Sequence, residues 1–187
     1  MIPVVARRFG VPEFETHFDQ LTDRLVGLMN LETADDRAVA LVGSAFLDMQ
    51  LGSLIQRSLV VGTDCGLVLT DPRAPLSDFA SRIEVAFGFG LIADHQKEDL
   101  HLIRRIRNDF AHHPDPDLSF ETDRIRNLCQ RIEGWKVAPT AEPSCAREQF
   151  AQSVLVNALF LWHQTDHSRA REAAQRQYEP GWRPPRR

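Results

Sequence analysis

Apolar side chains recur at steps of three and four along most of this 187-residue chain, and this spacing is the feature that most constrains its fold. In residues 13–30 the pattern is carried by Phe14, Phe18, Leu21, Leu25 and Leu28. Steps of three and four place side chains on one face of an α-helix, whereas a half-buried strand needs strict alternation. The sequence contains no alternating strand pattern and no internal repeat. It therefore predicts an all-α fold, a compact bundle of about five to seven helices.

Capping and turn residues divide the chain into segments. The predicted helices cover residues 13–30, 33–60, 78–90, 94–112, 119–134 and 145–177. Thr33 and Asp36 have the spacing of a capping box, Ser77 is the predicted N-cap of the third helix, and Pro114 prevents the fourth helix from continuing. The loop 62–77 and the linker 135–144 separate these helices. We expect one helical domain over residues 1–177 and a flexible basic tail over 178–187.

Composition and charge disfavour several classes of protein. Hydrophobic residues make up 43% and charged residues 26% of the chain, which is ordinary for a soluble globular protein. Because the net charge is -4, whereas nucleic-acid-binding domains are usually basic, direct DNA binding is disfavoured. The three cysteines lack a C-x-x-C spacing, which favours a reducing cytoplasm. We find neither a signal-peptide core nor an uninterrupted apolar run of membrane-span length, and expect no membrane segment.

The second predicted helix is apolar almost all round and reads as the buried centre of the bundle. Arg37, Ser44 and Asp48 nevertheless fall on one side of it by the helical period. Charged side chains on an otherwise dry element need partners, because an unpaired buried charge is costly. Arg37 and Asp48 are therefore each expected to have a structural role, paired with a group on another part of the chain.

The stretch "DLHLIRRIRNDFAHHPDPD", residues 99–117, carries arginines and histidines on a helix-like background. On a helical wheel Leu102, Ile103, Ile106 and Phe110 define the buried face. Arg107 lies at the margin of this face, where an unpaired guanidinium would be expensive. We expect it to pair with a carboxylate of the central helix, with Asp48 as the candidate.

The opposite side of the same helix forms a polar stripe. His101, Arg105, Asn108 and His112 follow steps of four, three and four. The stripe is either a solvated face that complements the helix dipole or a functional surface or dimer interface. The following "HHPDPD" loop, residues 112–117, offers no full ligand set, so we expect no metal and no cofactor.

Three segments of the sequence resemble the mannitol operon repressor family, and the resemblance covers about residues 15–165. They are "DDRAVALVGSAFLD", "PLSDFASRIEVAFGFGLI" and "DLHLIRRIRNDFAHH". The resemblance implies a compact helical regulator of transcription that has no recognisable helix-turn-helix. We expect such a protein to act through another protein without sequence-specific DNA binding. Its binding surface would comprise His101, Arg104, Arg105 and His113.

The element "RNDFAH" also resembles the R-x4-6-H motif of HEPN domains, which are helical bundles that cleave RNA without metal in active members. The resemblance implies an alternative function as a ribonuclease with Arg107, Asn108 and His112 as catalytic groups. His112 could move a proton and Arg107 could stabilise charge on the phosphorane. Because the two residues are about 140° apart on a straight helix, either the helix end unwinds or two chains of a homodimer contribute.

Overall fold

The computed structural model describes residues 33–59, 63–137 and 142–176, together with residues 20, 23 and 25–27, and gives side chains up to residue 165. The α-helices of this part of the chain are α1 (Asp36–Ser58), α2 (Phe79–Gly88), α3 (Asp94–His112), α4 (Asp123–Arg131) and α5 (Ala146–Arg176). A π-helical turn covers Gly66–Thr70 and a 3-10 turn covers Gly134–Val137. With seven helical segments and no strand among the described residues, the predicted all-α bundle is confirmed.

Two predicted helix caps are wrong by one or two residues. The N-cap of α1 is Asp35, whose Oδ1 accepts a hydrogen bond of 2.6 Å from the backbone N–H of Ala38. The N-cap of α2 is Asp78, whose Oδ1 accepts from the N–H of Ser81 at 3.0 Å. In both helices the aspartate stands immediately before the first helical residue, where a short side chain reaches the free N–H groups of the first turn.

Helix α1 is the centre of the described bundle and contacts α2, α3 and α5. Its buried side chains come from almost every side of the helix and include Phe46, Leu47, Leu51 and Leu54. By length and composition α1 is the one described helix that could cross a membrane, which the expectation of no span-length apolar segment did not foresee. Half of that apolar stretch is buried inside the bundle, so packing against three helices accounts for its composition.

Helices α2 and α3 form a helical hairpin and pack against each other. Gly90 lies in the connecting turn with φ 65°, a left-handed conformation in which a side chain would be strained. At the other end of α3, three phenylalanine rings join α3 to α5. The ring centroids of Phe110 and Phe120 are 5.1 Å apart, and those of Phe120 and Phe150 are 5.2 Å apart.

A buried carboxylate ties the middle of α3 to the chain before α5. Asp99 is 2% exposed, and its two oxygens accept hydrogen bonds of 2.8 Å from the backbone N–H groups of Glu133 and Gly134. Asn157 of α5 donates to the same carboxylate at 3.3 Å. Burial raises the pKa of Asp99 above its ordinary value, against the effect of these three donors. Position 134 favours glycine because a Cβ there would lie only 3.0 Å from Asp99 Oδ2.

Some predictions fall on parts of the chain that are not described. The helix predicted over 13–30 lies outside the described residues except for Gln20, Asp23 and residues 25–27, which are helical. The tail 178–187 lies outside them entirely, so its flexibility stays a prediction. The helix predicted over 119–134 is shorter in the structure, at nine residues. Part of the predicted linker 135–144 belongs to the 3-10 turn instead.

Candidate functional site

The polar side of α3 stands as a ridge between two grooves. The first groove, of about 620 Å³, lies between α3, α1 and the start of α2 and is lined by Leu41, Ser44, Ala45, Asp48, Ser77, Asp78, Phe79, Ala80, Arg104, Arg107 and Asn108. The second groove, of about 650 Å³, lies between α3 and α4 and is lined by Arg105, Asn108, Asp109, Arg124, Asn127, Leu128 and Arg131. Asn108 lines both grooves and marks the crest of what we name the α3 ridge.

Arg107 does not form the predicted ion pair with Asp48. The carboxylate of Asp48 is bound by Arg82 of α2, with 2.7 Å between Nη1 and Oδ1. Arg82 also donates at 2.8 Å to the carbonyls of Leu76 and Leu69, so its planar guanidinium joins α1, α2 and the loop before α2. Arg107 is exposed and donates to Asn108 Oδ1 at 3.0 Å. The prediction that Arg107 is the partner of Asp48 is therefore wrong, although Arg107 stays within electrostatic range of that carboxylate.

Arg37 finds its partners in the backbone. Its guanidinium donates to the carbonyl of Phe110, and to those of His113 and Asp115 at 3.3 and 3.2 Å. Carbonyls at a helix C-terminus lack partners within the helix, and a cation there also complements the helix dipole. Arg37 thus fixes the end of α3 and the loop that carries His113.

The residues of the polar stripe on α3 differ in their surroundings: His101 is bound to α2, whereas Arg105 and His112 are exposed. His101 turns towards α2, where its Nε2 lies 2.9 Å from Glu84 Oε1, and Lys97 lies 3.0 Å from the other oxygen of Glu84. Hydrogen bonds from Lys97 and then His101 hold the pKa of Glu84 below its ordinary value. Arg105 and His112 are exposed. His113 is also exposed, and its Nδ1 accepts from the N–H of Asp115 at 3.3 Å.

Within one chain the structure does not bring the proposed ribonuclease residues together. Helix α3 stays regular through His112, and His113 is its C-cap, so the helix end does not unwind. Arg107 and Asn108 line the first groove, whereas His112 lines neither groove. A nuclease site would therefore need His112 from a second chain. Among the described residues, no three His, Cys, Asp or Glu side chains are grouped closely enough to hold a metal ion.

Two polar groups of the first groove lack hydrogen-bond partners among the residues that the structure describes. Ser44 is 1% exposed, and its hydroxyl has no partner. The Nε of Arg104 is buried and also has none.

Burial raises the pKa of Asp48, while Arg82 and then Arg107 act to lower it. The hydrogen bonds from Ser81 lower the pKa of Asp78.

Sequence reasoning missed several residues that shape the ridge. Arg82 and Glu84 on α2 hold Asp48 and His101, and Arg124 on α4 binds Asp109 with 2.8 Å between Nη2 and Oδ1. These partners are 34, 17 and 15 residues apart in the chain. Helical spacing predicted which face of each helix is polar, but gave no signal for which residues on different helices would meet.

No family model and no curated protein matches the sequence. Among solved structures, the fold is similar to that of a chain in the X-ray structure of the MtlR–HPr complex from Escherichia coli. The match has a TM-score of 0.57 at 19% sequence identity and covers 76% of this chain and 96% of that chain. At this identity the likeness shows the fold alone. The fold of this chain is therefore similar to that of a chain in the MtlR–HPr complex.

Proposed function

We propose that this chain is a cytoplasmic regulator of transcription that acts by binding a protein partner, without reading DNA sequence itself. The observation that carries the proposal is the similar fold of a chain in the MtlR–HPr complex, in which two proteins are bound to each other. The sequence resemblance to the mannitol operon repressor family supports the same class. Three cysteines without disulfide bonds agree with a cytoplasmic protein, and a net charge of -4 agrees with one that does not bind nucleic acid as its main partner.

The proposed docking surface is the side of the α3 ridge that borders the second groove. Arg105 and Arg131 line this groove and form no ion pair with any described residue, while Arg124 is bound to Asp109 but is 73% exposed. The chain has 20 arginines and only two lysines. A guanidinium binds carboxylates in a planar, two-pronged geometry, and arginine is enriched in protein interfaces. The surface therefore fits an acidic patch on a protein partner. Of the other residues expected in a binding surface, His113 follows the end of α3, whereas Arg104 lines the first groove and His101 faces α2.

The function is tested with two ligands presented to the purified chain. Binding of HPr from E. coli is measured by calorimetry. Binding of double-stranded DNA from the promoter region of the gene that encodes this chain is measured by fluorescence anisotropy. We expect saturable binding of HPr and only weak DNA binding that falls steeply with salt and is indifferent to sequence. Tight, sequence-specific DNA binding together with no binding of HPr would overturn the proposal.

The surface is tested separately from the function. Arg105→Glu reverses a charge in the middle of the proposed surface, and Arg73→Glu makes the same change at an exposed loop residue outside both grooves. We expect Arg105→Glu to weaken HPr binding by about tenfold or more and Arg73→Glu to leave it unchanged. Equal binding by both variants would leave the function in place and move the interface elsewhere on the molecule.

A further inference from the structure

The floor of the first groove contains a polar group that the fold leaves unsatisfied. Ser44 is 1% exposed and lines the groove, and its hydroxyl has no hydrogen-bond partner among the described residues. Buried hydroxyls almost always have a partner, because removal from water without one costs free energy. Alanine would fill nearly the same space at this position without an unpaired hydroxyl. The position therefore points to a group from outside the chain.

The wall formed by α3 adds hydrogen-bond donors of one charge. Within the part of the chain that the structure describes, Arg104 Nε is buried without a partner, and the guanidinium of Arg107 donates to the side chain of its neighbour Asn108. Together they present arginine donors along one side of the groove. Guanidinium groups bind carboxylate and phosphate oxygens through charge-assisted hydrogen bonds, which are roughly twice as strong as neutral ones.

The carboxylates of the groove are already engaged. Asp48 is bound by Arg82, and Asp78 accepts from both the N–H and the hydroxyl of Ser81, at 3.0 and 2.6 Å. Since Asp78 occupies the N-terminus of α2, the positive end of that helix is not available to a ligand. Of the charged side chains that line the groove, Arg104 and Arg107 are positive and Asp48 and Asp78 are negative. Because Asp48 is paired with Arg82, which does not line the groove, the lining together with this partner carries one surplus positive charge.

We propose that the first groove binds a small polar molecule that carries an oxyanion group, a carboxylate or a phosphate, with a hydroxyl beside it. Arg104 and Arg107 bind the oxyanion, and Ser44 hydrogen-bonds the hydroxyl. The volume of about 620 Å³ is in the range of small-molecule sites, about 300–1,000 Å³. The proposal does not rest on the function proposed above, because it concerns binding by this chain alone.

Three probes of similar size separate the required chemistry. Glycerol 3-phosphate offers a phosphate with hydroxyls, glycerate offers a carboxylate with hydroxyls, and glycerol lacks the anion. Each is titrated at matched ionic strength into the isotope-labelled chain, and amide chemical shifts are followed. We expect saturable shifts at Ser44, Arg104 and Asn108 with at least one anionic probe and none with glycerol. A response to only one of the two anions tells phosphate from carboxylate.

Single substitutions link the response to the groove. Ser44→Ala should fold normally, because it removes a hydroxyl that has no partner among the described residues. It should lower the affinity for the anionic probe about threefold to tenfold. Arg104→Gln should weaken it further, while Arg105→Gln, whose side chain lines the other groove, should not change it. The proposal is overturned if neither anionic probe gives saturable shifts, if glycerol binds as well, or if both Ser44→Ala and Arg104→Gln bind like the unaltered chain.

Discussion

Arg82 binds the carboxylate of Asp48 with 2.7 Å between Nη1 and Oδ1, and this ion pair connects α2 to the central helix. The side chain of Arg82 is 12% exposed and that of Asp48 31%, so water screens the pair only partly. The remaining donors of Arg82 hold two loop carbonyls, those of Leu76 and Leu69. One side chain thereby fixes the loop before α2, the start of α2 and one wall of the first groove.

We expect Arg82→Ala to lower the free energy of unfolding by about 2 to 4 kcal/mol, because it leaves a partly buried carboxylate without its partner. Arg107→Ala removes an exposed guanidinium and should change stability by no more than about 0.5 kcal/mol. Chemical denaturation of the two variants measures the difference. An equal loss of stability in both would mean that Arg107, not Arg82 alone, holds Asp48.

Asp99 should be among the most sensitive polar positions in the chain. Asp99→Ala leaves the buried N–H groups of Glu133 and Gly134 without acceptors and should destabilise the fold by about 2 to 4 kcal/mol. Asp99→Asn keeps one acceptor oxygen and should cost less than alanine. Thermal unfolding of both variants checks this order. If Asp99→Ala destabilised the fold no more than an exposed substitution does, the carboxylate would not be acting as a backbone acceptor.

The capping aspartate of α2 should contribute stability that depends on pH. Because hydrogen bonds from Ser81 lower the pKa of Asp78 in the folded chain, the folded state favours the carboxylate more than the unfolded state does. This contribution is present above the unfolded pKa of about 3.9 and is lost as pH falls through the lower folded pKa. Asp78→Asn caps without titrating, so the stability difference between the unaltered chain and this variant should shrink as pH falls below about 4.

The unfolding measurements are made at several pH values between neutral and the acid limit of folding, with Asp78→Ala as the variant without a cap. Asp78→Ala should lower the free energy of unfolding by about 1 kcal/mol at neutral pH. A stability difference between the unaltered chain and Asp78→Asn that does not vary with pH would contradict the depressed pKa.

Ribonuclease activity without metal is not expected. On the regular helix α3, Arg107 and His112 project about 140° apart, so one chain cannot direct both at the same phosphate. Purified protein incubated with RNA in EDTA should leave it intact. The contrary result would be EDTA-resistant cleavage that Arg107→Ala and His112→Ala each abolish. If a mixture of the two variants then recovered activity, the site would be formed between two chains.

Local patterns determined the helices of this protein. Helix α3 begins and ends at the predicted residues, Asp94 and His112, because apolar spacing defines its buried face and Pro114 prevents continuation. The buried face of α3 is also the predicted one, with Leu102, Ile103, Ile106 and Phe110 in the core. These features depend on interactions within a few residues, which the order of the side chains records directly.

The sequence by itself therefore determined the all-α class, the order of the main helices and the polar side of α3. Only the tertiary structure decided that Asp48 is bound by Arg82, that Asp99 holds the turn before α5, and that the α3 ridge separates two grooves. The physical reason is that helical periodicity specifies the direction of a side chain about its own helix axis. Which helix lies opposite depends on the packing of the whole core, and a guanidinium binds whichever carboxylate that packing brings within its reach.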